Sequence, residues 1–267
     1  MTIPALGQFV SYARTAAPRA RTTAPLGDRT VPRWAIASAG LTPILLTAGW
    51  LVAGTLQPAS YNPIRDTVSV MAGHGGSDRW VMTGALLLVG GFHLVTAAGL
   101  GALRVPARVL LILAGLSSIG IAASPEPAAG STPQHLAWTS FGAVIITVWP
   151  AFTARSGSPQ PLILSRHGSA VVTAVFLALL CWLVIETQGG SNLGMAERLT
   201  SSVQTSWPFV VAVVLWRHAA RTRRPEFPGE PPEAAGAPAL TTETLTTETL
   251  TTEALTAGAL HCQRDLA

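Results

Sequence analysis

Six stretches of this chain, near 34–56, 80–103, 106–123, 135–154, 168–187 and 199–217, are apolar and close to the roughly 20 residues that a helix needs to cross a bilayer's hydrocarbon core. None carries an acid or an arginine in its middle, where lipid makes a charge expensive. Backbone groups in lipid must find their hydrogen bonds within the segment, so the runs are expected to be helices. The fold class is therefore an all-α membrane protein, a six-transmembrane-helix bundle over 34–217. The chain is 11% charged, against about a quarter for an ordinary soluble domain, which fits a lipid solvent. Pro43, Pro150 and Pro208 fall within spans and are expected to kink or locally unwind them.

All 17 basic residues are Arg, and they sort to one side. With the N-terminus inside, the cytoplasmic segments hold Arg14, Arg19, Arg21, Arg29 and Arg33, then Arg104 and Arg108, Arg155 and Arg166, and Arg217, Arg221, Arg223 and Arg224. The outer loops hold Arg65, Arg79 and Arg198. This asymmetry supports an even number of spans with both termini in the cytoplasm, in a multi-pass protein of the cell (plasma) membrane. The lipid bilayer is the expected partner. Nucleic acid is not, because the arginines lie at span ends and form no basic face; protein partners are unknown from sequence.

Residues 1–33 read as a disordered, Arg-rich cytoplasmic arm with no hydrophobic core of a secretory signal, although an organelle transit peptide shares its composition. Residues 218–267 read as a disordered cytoplasmic tail, in which Thr-Thr-Glu-Thr-Leu at 241–245 recurs at 246–250 and, as Thr-Thr-Glu-Ala-Leu, at 251–255. Cys181 and Cys262 cannot make a disulfide framework.

The stretch 61–80 is polar and sits between the first two spans. It predicts a short amphipathic helix in the first outer loop, with Asn62 as cap, Pro63 in its first turn and Gly73 as stop. Ile64, Val68 and Met71 would share its apolar face.

His93 is the ionisable side chain deepest in a span, on one helix face with Ala97 and Gly101. The polar groups expected at its depth are Thr42, Thr147 and Thr173. The preferred reading is a neutral histidine hydrogen-bonded to a threonine or a backbone carbonyl, with a proton carrier as the alternative. His135 should lie on the order of 20 Å above it, too far to share a metal. On the outer face the loops gather Asp66, His74, Asp78, Glu126, His135, Glu186 and Glu197 with Arg65, Arg79 and Arg198, above Ser69, Ser117, Ser118, Ser140 and Gln204. Carboxylates beside an imidazole can act as acid and base on a lipid headgroup, so Asp66, Glu126, His135 and Glu197 are the catalytic candidates. Asp66, Glu126 and His135 are the metal candidates, with a divalent metal as the possible cofactor. Their spacing matches no defined motif, and solvated rim residues would look the same.

Tyr61-Asn62-Pro63-Ile64-Arg65-Asp66-Thr67-Val68-Ser69 and the Gly-rich second span through Phe92-His93 to Ala98-Gly99-Leu100 resemble the bacterial membrane family catalogued as domain of unknown function 998. Pro125-Glu126-Pro127, Gln134-His135, Ala196-Glu197-Arg198-Leu199 and Trp207-Pro208 extend the resemblance over about 34–217. It implies a six-span protein of a bacterial cell membrane and no established activity. Three classes of function follow, led by a structural or regulatory membrane protein. A hydrolase acting on a lipid headgroup is second, and a small-solute or proton-coupled transporter resting on His93 is third.

Overall fold

The computed structural model describes residues 30–155 and 160–222. The N-terminal arm through residue 29 and the repeat-bearing tail from 223 lie outside the described residues. Seven α-helices run in chain order: α1 Arg33–Thr55, α2 Val68–Ala72, α3 Trp80–Gly99, α4 Val105–Ala123, α5 Pro133–Phe152, α6 Arg166–Glu186 and α7 Leu193–Thr222. A 3₁₀ turn, Leu162–Leu164, precedes α6, and there is no strand among the described residues. The six long helices are long and apolar enough to cross a membrane. Each expected span is present. α1, α5 and α7 continue through Pro43, Pro150 and Pro208 as single helices.

Helix starts follow from local chemistry. Thr132 and Ser165 accept the free backbone N–H groups of His135 and Gly168, and Pro106 and Pro133 sit in first turns where no donor is needed. The helices then pack as a closed ring, α1 on α3, α3 on α4, α4 on α5, α5 on α6, α6 on α7, and α7 back on α1. Small residues set the closest approaches. Gly90 of α3 and Gly115 of α4 face each other so tightly that a Cβ on either would lie 2.6–2.7 Å from the other's carbonyl oxygen.

Two apolar clusters fill the ring. Ala35, Leu100, Leu111, Trp149, Leu164 and Val211 hold the end nearest the α3–α4 turn, and Leu46, Met71, Met82, Leu86 and Val89 hold the other. His93 lies between Val89 of one cluster and Ala97 of the other along α3. Hydroxyls bridge helices, with Ser118 Oγ donating to Leu86 O at 2.7 Å, Ser117 Oγ to Trp138 O at 2.6 Å, and Ser38 and Thr96 sharing a 2.7 Å bond.

The end of the bundle that carries 56–79, 124–132 and 187–192, here the loop end, is tied together by backbone. His74 N donates to Glu126 O at 2.7 Å, and Gln57 closes the first loop with two bonds to Ser77. The short helix in this loop starts at Val68, five residues after Pro63, with Thr67 as its cap and Gly73 ending it. Asn62 does cap, but it caps a turn: its Oδ1 accepts Ile64 N, and Asp66 Oδ2 accepts Asn62 N. The carbonyls of 63–66 never enter a helix ladder because α7 takes them. Gly194 N donates to Arg65 O, Met195 N donates to Ile64 O, and Arg198 Nη1 donates to Pro63 O and Asp66 O. The loop thereby satisfies donors that the start of α7 would otherwise leave free.

Candidate functional site

α7 begins at Leu193, six residues before the apolar run suggests, and this puts Glu197 and Arg198 inside the helix. Arg198 is 7% exposed. Its Nη1 donates to the carbonyls of Pro63, Asp66 and Gly194 at 2.7–2.9 Å, and its Nη2 donates to the Tyr61 hydroxyl. The Tyr61 hydroxyl donates in turn to Met71 Sδ at 3.3 Å. Burial pushes the Tyr61 phenol above its ordinary pKa, with the nearby Arg198 charge opposing, so the hydroxyl keeps the proton that this chain of bonds requires. Gly194 makes the approach possible, since a Cβ there would come within 2.8 Å of Pro63 O. Glu197 Oε2 accepts Val68 N at 2.6 Å, the first free N–H of α2. One turn of α7 therefore supplies both a guanidinium for the loop's carbonyls and a carboxyl oxygen that accepts the first amide of α2.

Below this clasp, the helices surround a partly open cavity of about 190 Å³ lined by all six long helices and by α2. Its walls are apolar, from Leu46, Leu86, Val89, Ile121, Ile146 and Leu183. Polar groups enter at defined points: Glu197 and Ser69 near the clasp, Ser117, Ser118 and Thr139 along the side, Gln204 and His93 deeper. His93 is 3% exposed, and its Nδ1 donates to Val89 O at 2.9 Å. A carbonyl only accepts, so in the neutral ring Nε2 is left with a lone pair, and among the described residues it has no hydrogen-bond partner. The expected backbone-carbonyl partner for His93 is thus present. Gln204 Nε2 donates to Thr147 Oγ1 at 2.8 Å, and Pro208 leaves the Gln204 carbonyl without its usual donor four residues on.

The catalytic candidates divide. Glu126 and His135 meet at 3.5 Å, with His135 Nδ1 donating to Ser124 O at 2.7 Å and turning Nε2 toward the carboxylate. Asp66 and Glu197 instead hold backbone amides. Among the described residues no group of three or more His, Cys, Asp or Glu is placed to hold a metal ion, so Asp66, Glu126 and His135 do not form one. Of the residues expected to line the upper bundle, Ser69, Ser117, Ser118 and Gln204 line this cavity, whereas Ser140 is exposed on α5 and Thr139 lines the cavity beside it. Sequence reasoning missed that His93 shares its cavity with an ionisable group, Glu197, because the run at 199 seemed to leave residue 197 in the loop. Asn192 preceding the small residues Gly194 and Ala196 was the available signal for an earlier helix start.

The fold and the site describe a six-span helical membrane protein with a mostly apolar cavity that a few polar side chains enter. The family model described as a protein of unknown function (DUF998) matches residues 41–214, and the chain belongs to that family. No curated protein and no solved structure matches the chain.

Proposed function

We propose that this is a regulatory protein of a bacterial cell membrane that binds a small molecule inside its helix ring. The observation that carries the reading is the unpartnered Nε2 of buried His93 in a cavity that Glu197 also lines. An unsatisfied buried acceptor is costly, and a ligand N–H or O–H removes that cost. Apolar walls with a few fixed polar groups suit a small ring or short chain carrying one amine or hydroxyl. Cyclohexylamine and cyclohexanol are suitable probes, with cyclohexane as the control. Either polar probe is expected to raise the thermal unfolding midpoint of the detergent-solubilised protein, with the rise lost in His93→Phe. A shift of the same size with cyclohexane, or in His93→Phe, would reduce the cavity to a packing void.

A transporter is the second reading, favoured by Pro43 and Pro208 within spanning helices that border the same bundle interior. It expects probe uptake into proteoliposomes that His93→Ala weakens. A hydrolase would have to rest on Glu126 and His135, since Asp66 and Glu197 serve backbone amides.

The arginine distribution supports cytoplasmic termini and an outward-facing loop end. Reporters placed after Arg224 and in the Gly75–Gly76 turn are expected in opposite compartments; their appearance in one compartment would overturn the orientation.

A further inference from the structure

Arg198 raises a question that the cavity does not answer, because its charge meets no carboxylate in a hydrogen bond. Its acceptors are three carbonyl oxygens and a phenol, and Glu197 and Asp66 are turned to the amides of Val68 and Asn62. Its Nε–H has no partner among the described residues. The Nε1–H of Trp50 on α1 likewise has none among the described residues, and the guanidinium carbon lies 5.5 Å from the centroid of that indole. Two donors, one of them charged, on neighbouring side chains therefore have no acceptor among the described residues. Such a pair is complementary to an anion's oxygens: Nε–H of an arginine donates to one oxygen while a neighbouring N–H takes a second.

Both residues line a groove of about 360 Å³ that shares no residue with the central cavity, together with Leu51, Gly54, Thr55, Pro58, Tyr61 and Pro63. Apart from Arg198 and the hydroxyls of Thr55 and Tyr61, these walls are mostly apolar, and Leu51 is 52% exposed on the face that an embedded α1 turns to lipid. The groove sits where α1 ends, the level at which a bilayer-spanning helix reaches the headgroups and where Trp and Arg anchor. The geometry points to a binding site for the phosphate of an anionic phospholipid at Arg198 and Trp50, whose two unpartnered N–H groups are shielded from solvent until it binds, with its acyl chain running down α1 over Leu51. A phosphate bound here neutralises the guanidinium that holds the first loop to α7, so the bilayer's composition acts on the same clasp that covers the cavity.

Native mass spectrometry of the full chain in mild detergent tests this directly. Phosphatidylglycerol is expected to bind as a single tightly held molecule, and diacylglycerol with the same chains is not. Trp50→Phe removes one donor and keeps an aromatic ring, and is expected to weaken phosphatidylglycerol about ten-fold, the usual cost of one hydrogen bond to a charged group. Trp34→Phe, at the far end of α1, leaves binding unchanged. Equal binding of diacylglycerol would show an apolar groove with no anion site, and unchanged affinity in Trp50→Phe would remove the indole from it. Displacement of the lipid by millimolar inorganic phosphate alone would reassign the site to a free anion. The wild-type comparison of the two lipids decides the matter even if Trp50→Phe folds poorly.

Discussion

Replacing Arg198 with Met lowers the unfolding midpoint of the detergent-solubilised protein by about 10 °C, the largest single-residue loss expected at the loop end. The side chain is 7% exposed and supplies the hydrogen bonds for three carbonyls and for Tyr61. Methionine fills a similar volume but donates nothing, so Pro63 O, Asp66 O and the Tyr61 oxygen lose this donor and Gly194 O keeps only its helix bond, in a place that water enters poorly. At about 1 kcal/mol or more for each acceptor left without a donor, the sum is about 4 kcal/mol. Lysine restores charge without the planar fork. One ammonium cannot reach the three carbonyls and the phenol together, so Arg198→Lys is expected to recover less than half of the loss. Gly194→Ala should resemble Arg198→Met, because the new Cβ would press on the Asp66 and Pro63 carbonyls that the guanidinium holds. Circular dichroism melts of the three variants provide the measurement. A midpoint within about 2 °C of wild type for Arg198→Met would mean that the 63–66 turn holds itself against α7 without the guanidinium.

This clasp also marks where sequence reasoning stops. The six spans are legible because length and absence of charge are properties of a segment read alone, and lipid imposes both. The stop at Gly73 is equally local. Arg198 and Glu197 are different: hydropathy penalises them, and only carbonyls and an amide supplied from about 130 residues earlier in the chain make their burial tolerable. The same nonlocal supply moved the start of the short helix from Pro63 to Val68, since the carbonyls of 63–66 were already committed to α7. Glu126 and His135 were legible as candidates, and their meeting depends on a turn that Thr132 caps. The cavity was half legible. Its serines and Gln204 could be placed by depth, but its closure requires α7 to return to α1, which no local pattern announces.

Gly90 and Gly91 are neighbours in sequence with opposite expectations. A Cβ on Gly90 would lie 2.6 Å from Gly115 O and 2.6 Å from Ile119 Cγ1, whereas one on Gly91 would meet nothing within 4 Å. Gly90→Ala must therefore push α3 and α4 apart, or bend one of them, at a cost of about 3 kcal/mol. Gly91→Ala only removes the backbone freedom of glycine in a helix, and should stabilise by about 0.5 kcal/mol. Gly115→Ala creates the reciprocal clash, its Cβ 2.7 Å from Gly90 O. The two harmful changes share one remedy, a wider spacing between the same two helices. Once Gly90→Ala has forced that separation, Gly115→Ala finds most of its room already made, and the double variant should lose clearly less than the two single losses added together. The coupling also reaches the cavity, because a Cβ on Gly115 would lie 3.1 Å from His93 Cβ. Cyclohexylamine protection is therefore expected to fall in Gly115→Ala and to persist in Gly91→Ala. Additive losses in the double variant would show that the glycines act separately, and would remove the close α3–α4 crossing as the element that fixes where His93 stands.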